Sequence, residues 1–143
     1  MKLIVDTSIW SEGLRRREDQ VKGRGFVLQE LISRGEGIYL MGIILQELLQ
    51  GIKEQSLFDK IAGYLDPFPI IEIKKRDYVF AANIYNQLKR KGIQISTVDA
   101  LIAATSINNN CILFTADKDF TFVSKHFDLS LFPGDIPPGM QRH

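Results

Sequence analysis

Short runs of β-branched and aliphatic residues alternate along the chain with longer stretches of helical period. Leu3 to Val5, Ile38 to Met41, Ile70 to Ile73, Ile112 to Phe114 and Leu129 to Phe132 have the length and composition of buried strands. Between them, Val27, Leu28, Leu31 and Ile32 recur at helical spacing, as do Ile44, Leu45, Leu48 and Ile52, and then Tyr78, Ala81, Ala82, Tyr85 and Leu88. Each set lays one apolar stripe along a helix. A further helix is predicted to start near Ser96 or Thr97, to run through Val98, Leu101 and Ile102, and to stop at Asn108, Asn109 and Asn110. Parallel neighbours need a crossover of about a dozen residues or more, and the helices supply it. The pattern therefore predicts an α/β fold with a mostly parallel central sheet of four to five strands and helices on both faces.

No internal repeat or linker interrupts this pattern, so the 143 residues read as one domain, with a core over residues 2–132. The stretch from residue 133 to 143, which contains Pro133, Gly134, Pro137, Pro138 and Gly139, cannot continue a sheet or helix and is expected to be a surface tail. A hydrophobic share of 45% with 24% charged residues excludes whole-chain disorder. Eighteen Lys and Arg face 17 Asp and Glu, which argues against a binder that works by bulk positive charge but leaves room for local clusters. The single cysteine, Cys111, has no partner for an intramolecular disulfide, so a cytoplasmic protein is the default expectation. No secretion signal is visible before Asp6, and the apolar stretch from Ile38 to Leu45 falls short of the roughly 18 residues of a membrane span.

The acidic residues carry the candidate chemistry. Asp6 follows the strand Leu3 to Val5 directly; Asp117, with Asp119 just beyond it, follows Ile112 to Phe114 after only Thr115 and Ala116. Parallel strands would deliver both to the crevice outside the carboxyl ends of the sheet, where open α/β sheets bind ligands. Asp99 opens a predicted helix and Glu47 lies inside another beside its apolar stripe. Each has a purely structural reading: Asp6 and Asp117 as helix N-caps, Ser96 with Asp99 as a capping box, Glu47 as a helix acid paired with a lysine. Independent caps, however, need not come from one end of the sheet.

If the four converge, their charge must be compensated. Two carboxylates about 4 Å apart repel by roughly 4 kcal/mol at an effective dielectric of about 20. Either some protonate, with a raised pKa, or a divalent cation neutralises the cluster. The cation is preferred. All-oxygen ligands select a hard ion such as Mg²⁺ or Mn²⁺, and Cys111, His126 and His143 do not fall in zinc-ligand spacing. Mg²⁺ on a few carboxylates keeps positions open for a phosphate oxygen and for a water activated for in-line attack on phosphorus, which is nuclease chemistry. Gly23 and Gly25 lack the Lys-Ser/Thr ending of a P-loop and follow no strand, so nucleotide hydrolysis by that route is excluded.

These residues resemble the PIN-domain ribonucleases and, within them, the VapC-type toxins of toxin-antitoxin (VapBC) systems. Val5-Asp6-Thr7-Ser8-Ile9-Trp10 is similar to the opening strand and first acid of that family, and Leu45-Gln46-Glu47-Leu48-Leu49-Gln50-Gly51 to its second motif. Ser96-Thr97-Val98-Asp99-Ala100-Leu101-Ile102-Ala103-Ala104 and Leu113-Phe114-Thr115-Ala116-Asp117-Lys118-Asp119-Phe120 are similar to the third and fourth, in the same order. The resemblance implies a PIN-like three-layer α/β/α sandwich and a metal-dependent endoribonuclease whose catalytic carboxylates Asp6, Glu47, Asp99 and Asp117 bind Mg²⁺ or Mn²⁺. Asp119 is implied as a further metal ligand at a position that varies among members. Thr7, Ser8 and Thr115 are expected to hydrogen-bond the carboxylates or a metal-bound water. A homodimer and a VapB-type antitoxin encoded beside the toxin are also implied, with the antitoxin placing a basic side chain in the acidic pocket. The segment from Ser11 to Arg24 departs from the family, matching none of its motifs.

Three basic clusters remain for an RNA substrate: Arg15, Arg16 and Arg17, then Lys74, Lys75 and Arg76, then Lys89, Arg90 and Lys91. The first lies close behind the first acidic motif and is the preferred RNA contact. The last ends a helix, where the dipole already favours cations, and the middle one reads as solvated surface. Trp10 and Phe120 are assigned to the core. Two rivals are set beside the nuclease: a phosphohydrolase or phosphoacceptor using Asp6 as nucleophile, and a module that keeps the fold and binds RNA or protein without turnover. Against the former, Asp6-Thr7-Ser8 has no second Asp two residues on and no acidic pair precedes it.

Overall fold

Leu3, Ile4 and Val5 are all fully buried, as in a strand covered on both faces. They belong to β1 (Lys2–Val5), which a computed structural model describing residues 1–14 and 23–133 places in the middle of a four-stranded sheet. The chain then forms α1 (Thr7–Leu14), α2 (Gly23–Ser33), β2 (Gly37–Tyr39), α3 (Gly42–Leu49), α4 (Gln55–Leu65), α5 (Lys75–Arg90), α6 (Thr97–Asn108), β3 (Ile112–Phe114), α7 (Asp119–His126) and β4 (Ser130–Leu131). The sheet order is β2-β1-β3-β4, and every pairing is parallel. Leu3 lies opposite Ile38 on one side and Ile112 on the other. The mostly parallel α/β architecture expected from the sequence is present.

This order has a consequence for chemistry. The chain leaves β1 toward β2 and later returns to its other side as β3, so the carboxyl ends of β1 and β3 flank a topological switch point. Helix α1 packs on both α2 and α3, and α3 on α4, while α5 packs on α6 and α6 on α7. Trp10 and Phe120, at the starts of α1 and α7, are fully buried. The Trp10 ring meets Phe68 edge-on, with centroids 5.2 Å apart. Gly25 permits the close crossing of α2 over α1, since a Cβ there would sit 3.0 Å from the Glu12 carbonyl.

Three local expectations are corrected. Ile70 to Ile73 does not form a strand but a single parallel bridge between Ile70 and Leu40. Leu40 N–H donates to the Pro69 carbonyl and Ile71 N–H to the Leu40 carbonyl, both at 2.8 Å, before the chain turns into α5. Ile52 lies beyond α3, which stops at Leu49 because Gly51 takes the left-handed conformation at φ 88°. Helices α1, α4 and α7 were not anticipated from periodicity. The stop after α6 is as expected, with Asn110 at φ 54°. Among the described residues, no helix is long and apolar enough to cross a membrane.

Candidate metal centre at the carboxyl ends of the strands

Asp6 continues the line of β1 and keeps its pairing, since its N–H donates to the Phe114 carbonyl at 2.8 Å. Its side chain is only 7% exposed and is hydrogen-bonded at both oxygens. Thr7 N–H donates to Oδ1 at 2.8 Å. Oδ2 accepts two hydroxyls, Thr115 at 2.8 Å and Ser8 at 3.2 Å. Burying a carboxylate without partners is costly, and these three donors to the charged form offset that cost. Asp6 is thus not simply a helix cap: its carboxylate ties the end of β1 to the segment after β3.

The two hydroxyls also accept. Asp117 N–H donates to Thr115 Oγ1 at 3.0 Å and Ala116 N–H to Ser8 Oγ at 3.2 Å. Asp117 Oδ1 in turn accepts Asp119 N–H at 2.9 Å, at the opening of α7. The result is that Asp99, Asp117 and Asp119 each present an oxygen within 4.8 Å of the other two. Ser96 is the N-cap of α6, its Oγ accepting Asp99 N–H at 3.0 Å, which fixes the first turn that carries Asp99.

The cluster leaves a mark on Asp99. Its carboxyl is pushed up to about 6, first by burial and next by the charge of Asp117, with Asp6 and Asp119 adding to the rise and the Ser96 hydrogen bond opposing it. Glu47 stands apart from the three clustered acids but is joined to the same region, since Thr7, whose N–H holds Asp6, directs its hydroxyl to Glu47 Oε1 at 3.4 Å. Glu47 also lines a groove of about 350 Å³ whose walls include Leu14, Leu48, Ile52 and Leu57.

All five predicted acids therefore lie at or beside the switch point, with Thr7, Ser8 and Thr115 bonded to them. Sequence reasoning missed the link from Ser8 to the backbone of residue 116, which no local pattern announces. It also missed Asp77, 1% exposed, which accepts Lys74 N–H and Asn108 Nδ2–H at 2.8 Å each and fastens α5 to the end of α6. An acid at the third position of a helix was the available signal. Lys74 to Arg76 and Lys89 to Lys91 lie at the two ends of α5, exposed, with Lys89 Nζ 5.8 Å from the centre of the Tyr85 ring. Arg15, Arg16 and Arg17 lie outside the described residues, as does the tail beyond Pro133.

A parallel sheet with carboxylates gathered at its switch point places the chain among open α/β domains whose ligand site is built from strand ends. More narrowly, the chain belongs to the PIN domain family, whose sequence profile matches residues 3–125. It is similar to Ribonuclease VapC1 of Methanocaldococcus jannaschii, 29% identical over 131 residues that cover 92% of this chain and 87% of that protein. It is also similar to Ribonuclease VapC2 of Rickettsia felis, 26% identical over 125 residues, 84% of this chain and 90% of that one. In fold it resembles the VapBC2 structure from Rickettsia felis bound to a promoter DNA fragment, with a TM-score of 0.74 at 23% identity, covering 92% of this chain and 98% of that one.

Proposed function

We propose that this PIN-domain protein is a divalent-metal-dependent endoribonuclease and the toxin of a toxin-antitoxin pair. The observation that carries the reading is the meeting of Asp99, Asp117 and Asp119 beside Asp6 in a member of a family whose relatives are named ribonucleases. The donor set fits a hard divalent cation: it is all oxygen, anionic, and close enough for one ion to be shared. Asp99, Asp117 and Asp119, with Asp6 and Glu47 beside them, would hold Mg²⁺ or Mn²⁺. When bound, such an ion supplies charge neutralisation for a phosphodiester and lowers the pKa of a water.

The chain's own residues set the conditions for that chemistry. Thr7, Ser8 and Thr115 hold the Asp6 carboxylate in place, and below about pH 6 the raised carboxyl of Asp99 holds a proton that a cation must displace. Hydrolysis of RNA would leave a 5′-phosphate and a 3′-hydroxyl. Arg15 to Arg17 are the proposed contacts for the RNA backbone, with the exposed basic ends of α5 as secondary candidates. Such a substrate makes the cytoplasm the compartment.

Two partners complete the proposal. An antitoxin suits the groove beside Glu47, whose described lining sets Leu14, Leu48, Ile52, Leu57 and Ile61 beside the Glu47 carboxylate and so matches a segment of apolar side chains carrying a Lys or Arg. The similar Rickettsia felis structure is of VapBC2 with promoter DNA. A homodimer suits α5, where Tyr78 and Val79 are 56% and 64% exposed beside a groove of about 320 Å³ against α6. The decisive experiment is RNA cleavage by the purified protein with and without Mn²⁺, wild type against Asp6→Asn, Glu47→Gln and Asp99→Asn. Cleavage that survives both chelation and substitution would sink the assignment.

A further inference from the structure

From α1, the Ser8 side chain hydrogen-bonds to the segment after β3. Its hydroxyl donates to Asp6 Oδ2 and accepts Ala116 N–H, both at 3.2 Å, so it stands between the first acid and the loop that leads through Asp117 to Asp119. Thr115 makes a similar bridge to Asp117 N–H, but from within that loop. Without Ser8, the loop would be joined to Asp6 through its own threonine alone. The loop needs that second attachment, because Asp117 and Asp119 lie within 4.8 Å of each other and of Asp99 and repel them when ionised. Each bond is also directional: an N–H donates to a hydroxyl that donates to a carboxylate, so the negative charge on Asp6 polarises both links.

We infer that Ser8 is a positioning residue, setting the distance between Asp6 and the Asp117–Asp119 loop so that acids from β1 and from the loop can serve one cation. This rests on the divalent-metal reading above. It separates Ser8 from Thr7, which joins Asp6 to Glu47 and makes no bond to the loop. Partners of ligating groups commonly change metal affinity by about 10-fold or more when removed.

The test is calorimetric titration of Mn²⁺ into metal-free full-length protein, comparing wild type, Ser8→Ala and Ser8→Thr, with thermal melts of each metal-free sample and steady-state cleavage of RNA. Ser8→Ala should weaken Mn²⁺ binding about tenfold. Its metal-free melting temperature should fall, as for any loss of two part-buried hydrogen bonds, but the protein should stay folded and kcat should recover at saturating Mn²⁺. Ser8→Thr, which keeps the hydroxyl, should restore the affinity. Unchanged Mn²⁺ affinity in a folded Ser8→Ala protein overturns the inference, as does a weakened affinity that Ser8→Thr fails to rescue. If Ser8→Ala does not fold, Ser8→Thr still decides: wild-type affinity supports the hydroxyl's role and lost affinity refutes it. Wild type that binds no Mn²⁺ refutes instead the metal reading on which the inference stands.

Discussion

Thr115 donates its hydroxyl to Asp6 Oδ2 at 2.8 Å across 109 positions of sequence, while the same oxygen takes the N–H of Asp117 at 3.0 Å. One side chain thereby satisfies a buried carboxylate and shapes the loop that presents the next acid. Thr115→Val keeps the shape but leaves Asp117 N–H without its acceptor and Asp6 with one donor fewer. Folding should weaken by about 1–3 kcal/mol, and RNA cleavage should fall about 10- to 100-fold. Thr115→Ser should retain most of both. Urea melts and initial rates on one RNA substrate check the pair; equal behaviour of Val and Ser would show that the hydroxyl is idle.

Asp99 gives the metal-free protein a pH dependence of definite sign. Its carboxyl titrates near 6 in the folded state against 3.8 ordinarily, so between those values the folded chain holds more protons than the unfolded one. The contribution of Asp99 to stability is then fully present below about pH 4 and lost as pH rises through about 6. The effect should be modest, because the group is only half-buried and solvent screens it. Asp99→Asn, which carries no charge, should therefore gain stability over wild type at pH 7 and show little difference at pH 4, both without metal. Mn²⁺ affinity of wild type should rise through pH 6, since the ion must expel that proton. A difference between Asp99→Asn and wild type that is the same at both pH values would contradict the assignment.

Asp77 separates stability from chemistry. It is buried at the start of α5, where it accepts Lys74 N–H and Asn108 Nδ2–H, and it lies in neither the acid cluster nor the groove beside Glu47. Asp77→Ala removes both bonds and should cost about 1–3 kcal/mol, read as a lower urea midpoint. Cleavage per folded molecule should not change. A loss of rate without loss of stability would mean that the α5–α6 contact also serves the site.

What the sequence revealed follows from which interactions are local. Asp6 and Asp117 were identifiable because each directly follows an apolar strand, and parallel strands carry their ends to one edge. The nearness of Asp99 to Asp117 and Asp119 depends on where α6 packs, which no spacing encodes. Helix α1 escaped notice because it is only eight residues long and Ser8, Ser11 and Gly13 interrupt its apolar positions. Helix α4 did carry a periodic set in Leu57, Phe58, Ile61 and Leu65, but of these only Leu65 is fully buried. The Ile70 to Ile73 run has the composition of a strand, yet Ile70 and Glu72 stay exposed at the sheet's margin and a single bridge is all that forms. Ser8 shows the limit most plainly, since its second partner is a backbone N–H 108 positions away.

The outer face of α5 should be the dimer contact. Lys75, Tyr78, Ala82, Tyr85 and Lys89 recur at alternating steps of three and four, which lays them along one side of the helix, while Ile84 and Leu88 are buried on the other. Tyr78 and Val79 are the large apolar residues of α5 that remain most exposed. Central anchors of this kind cost at least about 2 kcal/mol when lost, or about 30-fold in dimer Kd. Val79→Glu also places a charge where apolar surface should meet, so it should convert the dimer to monomer in light scattering at micromolar concentration. Lys75 and Lys89 border the same stripe, and screening their repulsion between copies should make the wild-type dimer tighter as salt rises. Wild type that runs as a monomer at all concentrations, or a Val79→Glu dimer as stable as wild type, would remove α5 as the interface.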